Sequence, residues 1–325
     1  QDSTSSSFRD GRLLSIDPSG ALEWETWPAS ATSGPFLGRD AGFSPSGDIN
    51  HLGNTRGEDV LSALLIDAAT GAELWRIDRP GVADFQFVDS FRGSSAGGAL
   101  FVAYDNGSST SILRIDPAGQ VVYEIADLGS GLFGAALKSI HATDTGDLYV
   151  AESSAQFGPG FMSTITRLDG AGAARWREAT AVQTEIVDVR LTADGGVLVG
   201  YRRIGGLLRR LDADGGLVWQ RFGQPGARRL TGFALGPDGV TTAAFETSAG
   251  PGSVGVQIAR YGAGGRLLGT HQLEPTSSSP GTAVLAASVS SGDSRGNSWV
   301  TYVSGAPGAP ESVSLARFVL DEAAG

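Results

Sequence analysis

Four charged residues occupy positions from which chemistry could be done: Asp40, Glu185, Asp188 and Arg229. Asp40 and Asp188 stand at equivalent distances before the glycine turns at Gly47 and Gly195, and Glu185 and Arg229 are equivalent in the same way. Asp40, Glu185 and Asp188 at one channel mouth would suit general acid and base work in a lyase or hydrolase. The same ring of mixed charge would suit a small polar ligand or a peptide side chain. It would also simply keep a channel wet. On the residues alone these readings stay open.

Other chemistries have less to stand on. His51, His141 and His271 fall in different segments and share no metal-ligand spacing, so no zinc site is expected. The segment 211–216, LDADGG, opens like a calcium loop but lacks the later acidic ligands. G-x-S-x-G occurs at 93–97 and 292–296, but in neither place does it open a helix as a nucleophile elbow does, and no glycine-rich phosphate loop opens a helix. Cysteine is absent, which removes disulfides, thiolate chemistry and Cys-ligated metal. No cofactor and no metal are expected.

Composition bounds the partners. The chain has 325 residues, 48 of them glycine, and a net charge of −11 from 35 acids against 24 bases. Such an acidic chain repels phosphate backbones and anionic lipid, so nucleic acid is excluded as an expected partner. No apolar run approaches the roughly 18 residues of a membrane span. Lys138 is the only lysine, a bias that reads as the codon usage of a high-GC bacterial genome. The segment QDSTSSS opens a polar, flexible leader over residues 1–10, expected of an exported protein. A lipid tether ahead of Gln1 and simple secretion both fit it.

The elements that position these residues come from a repeat. SIDPSGALEW (15–24), LIDAATGAELW (65–75), RIDPAGQVVY (114–123), RLDGAGAARW (167–176) and RLDADGGLVW (210–219) are copies of one motif, followed by the degenerate RYGAGGRLLG (260–269) and the start of a seventh copy at 316–325. Each period of about 50 residues holds four short apolar runs joined by glycine-bearing hairpin turns. Six first, six second, seven third and six fourth strands are expected. The fold class that follows is all-β: a β-propeller of four-stranded antiparallel blades, with residues 11–325 as one domain. Six blades are preferred over seven. The strand Leu22–Trp27 is expected to complete the C-terminal blade and close the ring, removing a sticky edge.

The Asp, Thr-Gly, Trp order of IDAATGAELW resembles the tryptophan-docking repeat of PQQ-like (quinoprotein-type) β-propellers. The resemblance implies that Trp24, Trp75, Trp176 and Trp219 are blade-to-blade staples, with Tyr123 standing in and Gly269 leaving its contact looser. Independently, Gly71, Gly119, Gly172 and Gly215 stand where a tight hairpin needs positive φ, and the preceding aspartate can accept turn amides. Enzymes of that family use a vicinal cysteine pair and Ca²⁺ beside the quinone. This chain has no cysteine, so the resemblance carries the fold and not the chemistry. It points instead to the envelope-assembly propeller lipoproteins, which bind partner proteins.

Connections after second and fourth strands are long and variable, whereas the others are short. Recognition, of a protein partner foremost, is therefore expected on the long-loop face. A carbohydrate-binding version would rely there on Trp27, Phe133, Phe157 and Phe161.

Overall fold

The computed structural model describes residues 13–318 except Pro18, Pro45 and the stretches 28–35, 56–59, 81–90, 97–98, 106–109, 129–134, 157–159, 181–183, 251–252, 274–282, 292–297 and 306–311. Only the backbone is described for 36–43, 91–96, 283–291, 298–305, 312–318 and some strand ends. The 1–10 leader, Phe133, Phe157 and most long connections lie outside the described residues, as do the side chains of Asp40 and Phe161.

The apolar runs become 25 strands among the described residues, in the six, six, seven, six distribution read from the repeats. β1 (Leu13–Ile16) and β2 (Leu22–Thr26) pair as a two-stranded sheet. Five four-stranded antiparallel sheets follow, each in chain order. They are β3 (Phe36–Phe43), β4 (Ile49–Thr55), β5 (Val60–Ile66) and β6 (Glu73–Pro80); then β7 (Phe91–Ala96), β8 (Ala99–Asp105), β9 (Thr110–Ile115) and β10 (Val121–Ile125). The third comprises β11 (Ala135–Ala142), β12 (Leu148–Gln156), β13 (Gly160–Leu168) and β14 (Ala174–Thr180). The fourth holds β15 (Glu185–Leu191), β16 (Val197–Arg202), β17 (Leu207–Leu211) and β18 (Leu217–Phe222). The fifth holds β19 (Ala227–Leu235), β20 (Thr241–Gly250), β21 (Ser253–Tyr261) and β22 (Leu267–Leu273). A three-stranded sheet of β23 (Ala283–Ser291), β24 (Ser298–Gly305) and β25 (Ser312–Phe318) ends the described chain.

Burial separates the middle strands from the outer ones. VLSALLI in β5 and VLVGYR in β16 are buried along almost their whole length, because they are covered on both faces. VVYEI in β10 and ARWREAT in β14 alternate between half-buried and exposed residues, as fourth strands with one open side.

The chain forms two compact units, Gln1–Gly158 with Thr164–Arg177, and Pro159–Ser163 with Glu178–Gly325. In the first, Leu52, Leu61, Leu100, Val102, Leu113 and Ile115 join the second sheet to the one before it. Phe101, Ile112, Leu137, Ile140, Leu148 and Val150 join it to the one after. In the second unit Leu198, Leu208, Leu230, Phe233, Phe245 and Tyr261 make the corresponding layer. Within each unit, faces of successive sheets thus bury each other.

A feature the residue pattern did not reveal recurs in five first strands. The register slips between Gly38 and Asp40, Leu137 and Ser139, Ile186 and Asp188, Leu230 and Gly232, and Val284 and Ala286. Each is a β-bulge at an equivalent place, which bends the strand and re-aims the next side chain. Asp40 and Asp188 each directly follow one.

Candidate functional site

The repeat motif builds one end of every sheet. In each well-formed copy the aspartate Oδ1 accepts two turn amides, as Asp116 does from Ala118 and Gln120 at 2.9 and 2.8 Å. Gly71, Gly119, Gly172 and Gly215 have φ of +72°, +78°, +85° and +84°. The aromatic then docks on the turn of the following copy. Trp24 Nε1 donates to Ala68 O at 2.8 Å, Trp75 Nε1 to Pro117 O at 3.2 Å, and Trp219 Nε1 to Ala263 O at 2.9 Å. In each case the acceptor is the residue right after the copy's first turn position. Tyr123 lies against Gly172 without such a donor, and Trp176 meets Tyr149 edge-on at 5.8 Å. A Cβ on Gly269 would meet nothing within 4 Å.

A second staple accompanies the aromatic. Arg210 lies directly opposite Trp219 across the β17–β18 pair, and its Nη1 donates to the same Ala263 O at 2.6 Å. Opposite Tyr123 stands Arg114, whose Nη1 donates to Gly170 O at 2.5 Å. The arginine thus reaches the carbonyl that the tyrosine has no N–H to reach. The signal was present in the sequence as the arginine of RID and RLD, two residues before the aspartate.

The charges singled out in the sequence are engaged by neighbours. Glu185 and Arg202 are cross-strand partners in β15 and β16, with Oε2 and Nη1 3.2 Å apart. Arg229 and Glu246 hold the equivalent places in β19 and β20 with the polarity reversed, again ion-paired. Asp188 bonds Arg190 at 2.6 Å and accepts from the Val189 amide. Asp40 stands opposite Leu52 in the register of β3 and β4. Glu185 and Arg229 therefore sit in cross-strand ion pairs, and Asp188 in one along its own strand.

His51 is buried, and burial pushes its imidazole down to about 4 from 6.5. Among the described residues no three His, Cys, Asp or Glu side chains group as metal ligands, and no helix is long and apolar enough to cross a membrane. The pKa directions give a pH test. The Thr70 hydroxyl and amide hold the Asp67 carboxyl below its ordinary 3.8, and the Thr192 hydroxyl does the same for Asp194. Folded-state pKa values are depressed in all three groups, so their stabilisation is present at high pH and lost as pH falls. Urea midpoints should decline from pH 6.5 to about 4 as the unfolded His51 takes its proton, then again below 3.8 as the turn aspartates protonate. The first decline should vanish in His51→Gln.

At the turn end of the second unit a cleft of about 730 Å³ runs between residues 192–195 and 236–239. Arg190, Asp194, Arg210 and Asp238 give it balanced charge, over a floor that includes Leu198 and Trp219. Trp219 spends its ring on Gly265 and Tyr261, so the cleft has no open aromatic platform for a sugar.

No family model and no curated protein sequence matches the chain. Solved structures do: it superposes on the Dos1 propeller with a TM-score of 0.58, over 93% of this chain and 73% of that one, at 11% identity. The fold is a β-propeller. Each four-stranded sheet is then a blade, and the aromatic staples join one blade to the next. Propeller likeness extends to prolyl oligopeptidase B from Galerina marginata (TM-score 0.55, 12% identity, 88% of this chain and 43% of that one). It extends also to hydrazine synthase from Kuenenia stuttgartiensis (TM-score 0.53, 18% identity, 82% and 76%). At such identities the shared property is the propeller itself, a scaffold on which unrelated activities sit.

Proposed function

We propose that the chain is a non-catalytic, exported β-propeller serving as a protein-interaction scaffold at a bacterial cell envelope. The observation that carries the reading is the engagement of its charges. Glu185, Asp188 and Arg229 are held by Arg202, Arg190 and Glu246, so acid/base work would first have to break an ion pair. That weighs against the competing lyase or hydrolase with Asp40, Glu185 and Asp188 as its carboxylates. The competing carbohydrate-binding propeller would rest on Trp27, which is 54% exposed with its Nε1 donating to Glu25 Oε1 at 2.6 Å, together with Phe133, Phe157 and Phe161.

The propeller is of the PQQ-like, tryptophan-docking kind, a reading supported by the aromatics that donate to the next blade's turn. Its nearest functional analogue is the envelope-assembly propeller lipoprotein, with a periplasmic, outer-membrane-tethered or extracellular place. The reading keeps six blades in one domain, five of them the four-stranded sheets. The competing count of seven takes β1 and β2 as the remains of a separate blade. Partners bind at the long-loop end, since the turn end is occupied by the staples.

The test is capture from cross-linked native envelope extract on the tagged chain. A discrete, saturable partner is expected, retained when turn-end charge is altered by Asp214→Lys. Recovery of nothing beyond what an unrelated acidic propeller recovers overturns the scaffold reading.

A further inference from the structure

We propose that one corner of the second unit, at the end away from the staple turns, binds an acidic protein segment carrying an apolar side chain. Its carboxylates are taken by Arg203 and Arg228, and its apolar group rests on Ile204 and Phe222. The proposal rests on the scaffold reading and names the surface and the partner's chemistry.

Three segments are tied together there by main-chain bonds. The β16–β17 connection is a tight turn, with the Gly206 amide donating to Arg203 O at 2.8 Å. The Gly205 amide donates to Arg228 O at the start of β19 at 2.8 Å, and the Gly223 amide, just after β18, donates to Gly205 O at 2.9 Å. Such a corner is ordered before any partner arrives, so binding costs it little conformational entropy.

The corner exposes apolar side chains. Ile204 is 87% exposed at the tip of the turn, and Phe222 is 47% exposed. The Arg203 guanidinium lies over the Phe222 ring at 5.3 Å, and no carboxylate among the described residues forms an ion pair with it. A second bulge in β19, between Ala227 and Arg229, sets Arg228 and Arg229 against the single residue Glu246. Arg229 takes one oxygen of Glu246, while Arg228 stands 3.8 Å from the other, beyond hydrogen-bond reach. Arg228 thus makes the longer of the two ion pairs with Glu246 and no hydrogen bond to it.

The local charge is opposite to that of the whole molecule. Among the described residues Arg202, Arg203, Arg228 and Arg229 are paired with Glu185 and Glu246, a local surplus of positive charge in a chain of net −11. Long polyanions meet the repulsion of the whole chain, whereas a short acidic segment meets the corner alone. The apolar pair beside the arginines suits a protein side chain, and arginine with aromatic residues is the composition that anchors protein interfaces.

The experiment uses the full chain and a fluorescein-labelled peptide of alternating Glu and Asp around a central Leu-Phe pair, followed by anisotropy. Saturable binding is expected, weakened about tenfold in Arg203→Glu/Arg228→Glu, about threefold in Ile204→Ser, and unchanged in Asp214→Lys. Circular dichroism and melting report whether each variant is folded. Should the double reversal unfold, Arg203→Gln/Arg228→Gln replaces it, with a loss of about fivefold. Binding unaffected by these changes overturns the proposal, as does tighter binding to phosphatidylglycerol vesicles or duplex DNA. An extract partner still captured by the folded double variant removes this surface and leaves the scaffold standing. Peptide binding lost in the variant, with no extract partner recovered at all, supports the corner and removes the scaffold.

Discussion

Replacing Trp219 with alanine lowers stability by about 3–5 kcal/mol, read as a fall in the urea midpoint at constant slope. Trp219 is only 6% exposed, with its ring stacked near Tyr261 at 6.4 Å and lying against Gly265 of the following copy. The loss comes from the emptied space rather than from the indole hydrogen bond. Ala263 O keeps a donor, because Arg210 Nη1 lies 2.6 Å from it. Trp219→Phe retains much of the packed area and should cost about 1–2 kcal/mol. A variant of unchanged midpoint would mean that the staple does not hold this junction.

Gly265→Ala is expected to cost about 2–4 kcal/mol for two separable reasons. The backbone there has φ +77°, a conformation that an L side chain resists. In addition, a Cβ would lie 2.7 Å from Trp219 Cγ, an overlap that must push the ring aside. Gly20 is the internal control: its φ is +88° but no atom lies within 4 Å, so Gly20→Ala pays the backbone term alone. A double-mutant cycle separates the reasons. With alanine at 219 the overlap disappears, so the two changes should be non-additive by about 1–3 kcal/mol. Strict additivity would show that Trp219 and Gly265 do not bear on each other.

These effects follow from a motif that is legible residue by residue. An aspartate followed by a glycine three or four positions later specifies a hairpin turn, because the carboxylate collects the turn amides and only glycine accepts the positive φ. The arginine two residues earlier was equally visible, though its role was not. Its acceptor lies in the next copy, at Gly170 for Arg114 and at Ala263 for Arg210.

The sequence by itself determined the number and order of the strands among the described residues, the turn chemistry, the aromatic in each well-formed copy and the absence of thiol chemistry. All of these depend on residue types a few positions apart, where local backbone preference and alternation are enough. Tertiary structure alone decided the bulges that precede Asp40 and Asp188, because a slip in register belongs to two strands and not to one. It also decided that Glu185 and Arg229, read as members of one charged ring, are spent on Arg202 and Glu246. And it joined the turn at Ile204 to the strand at Arg228, residues whose adjacency comes from main-chain hydrogen bonds between separate blades that no spacing within one repeat can encode.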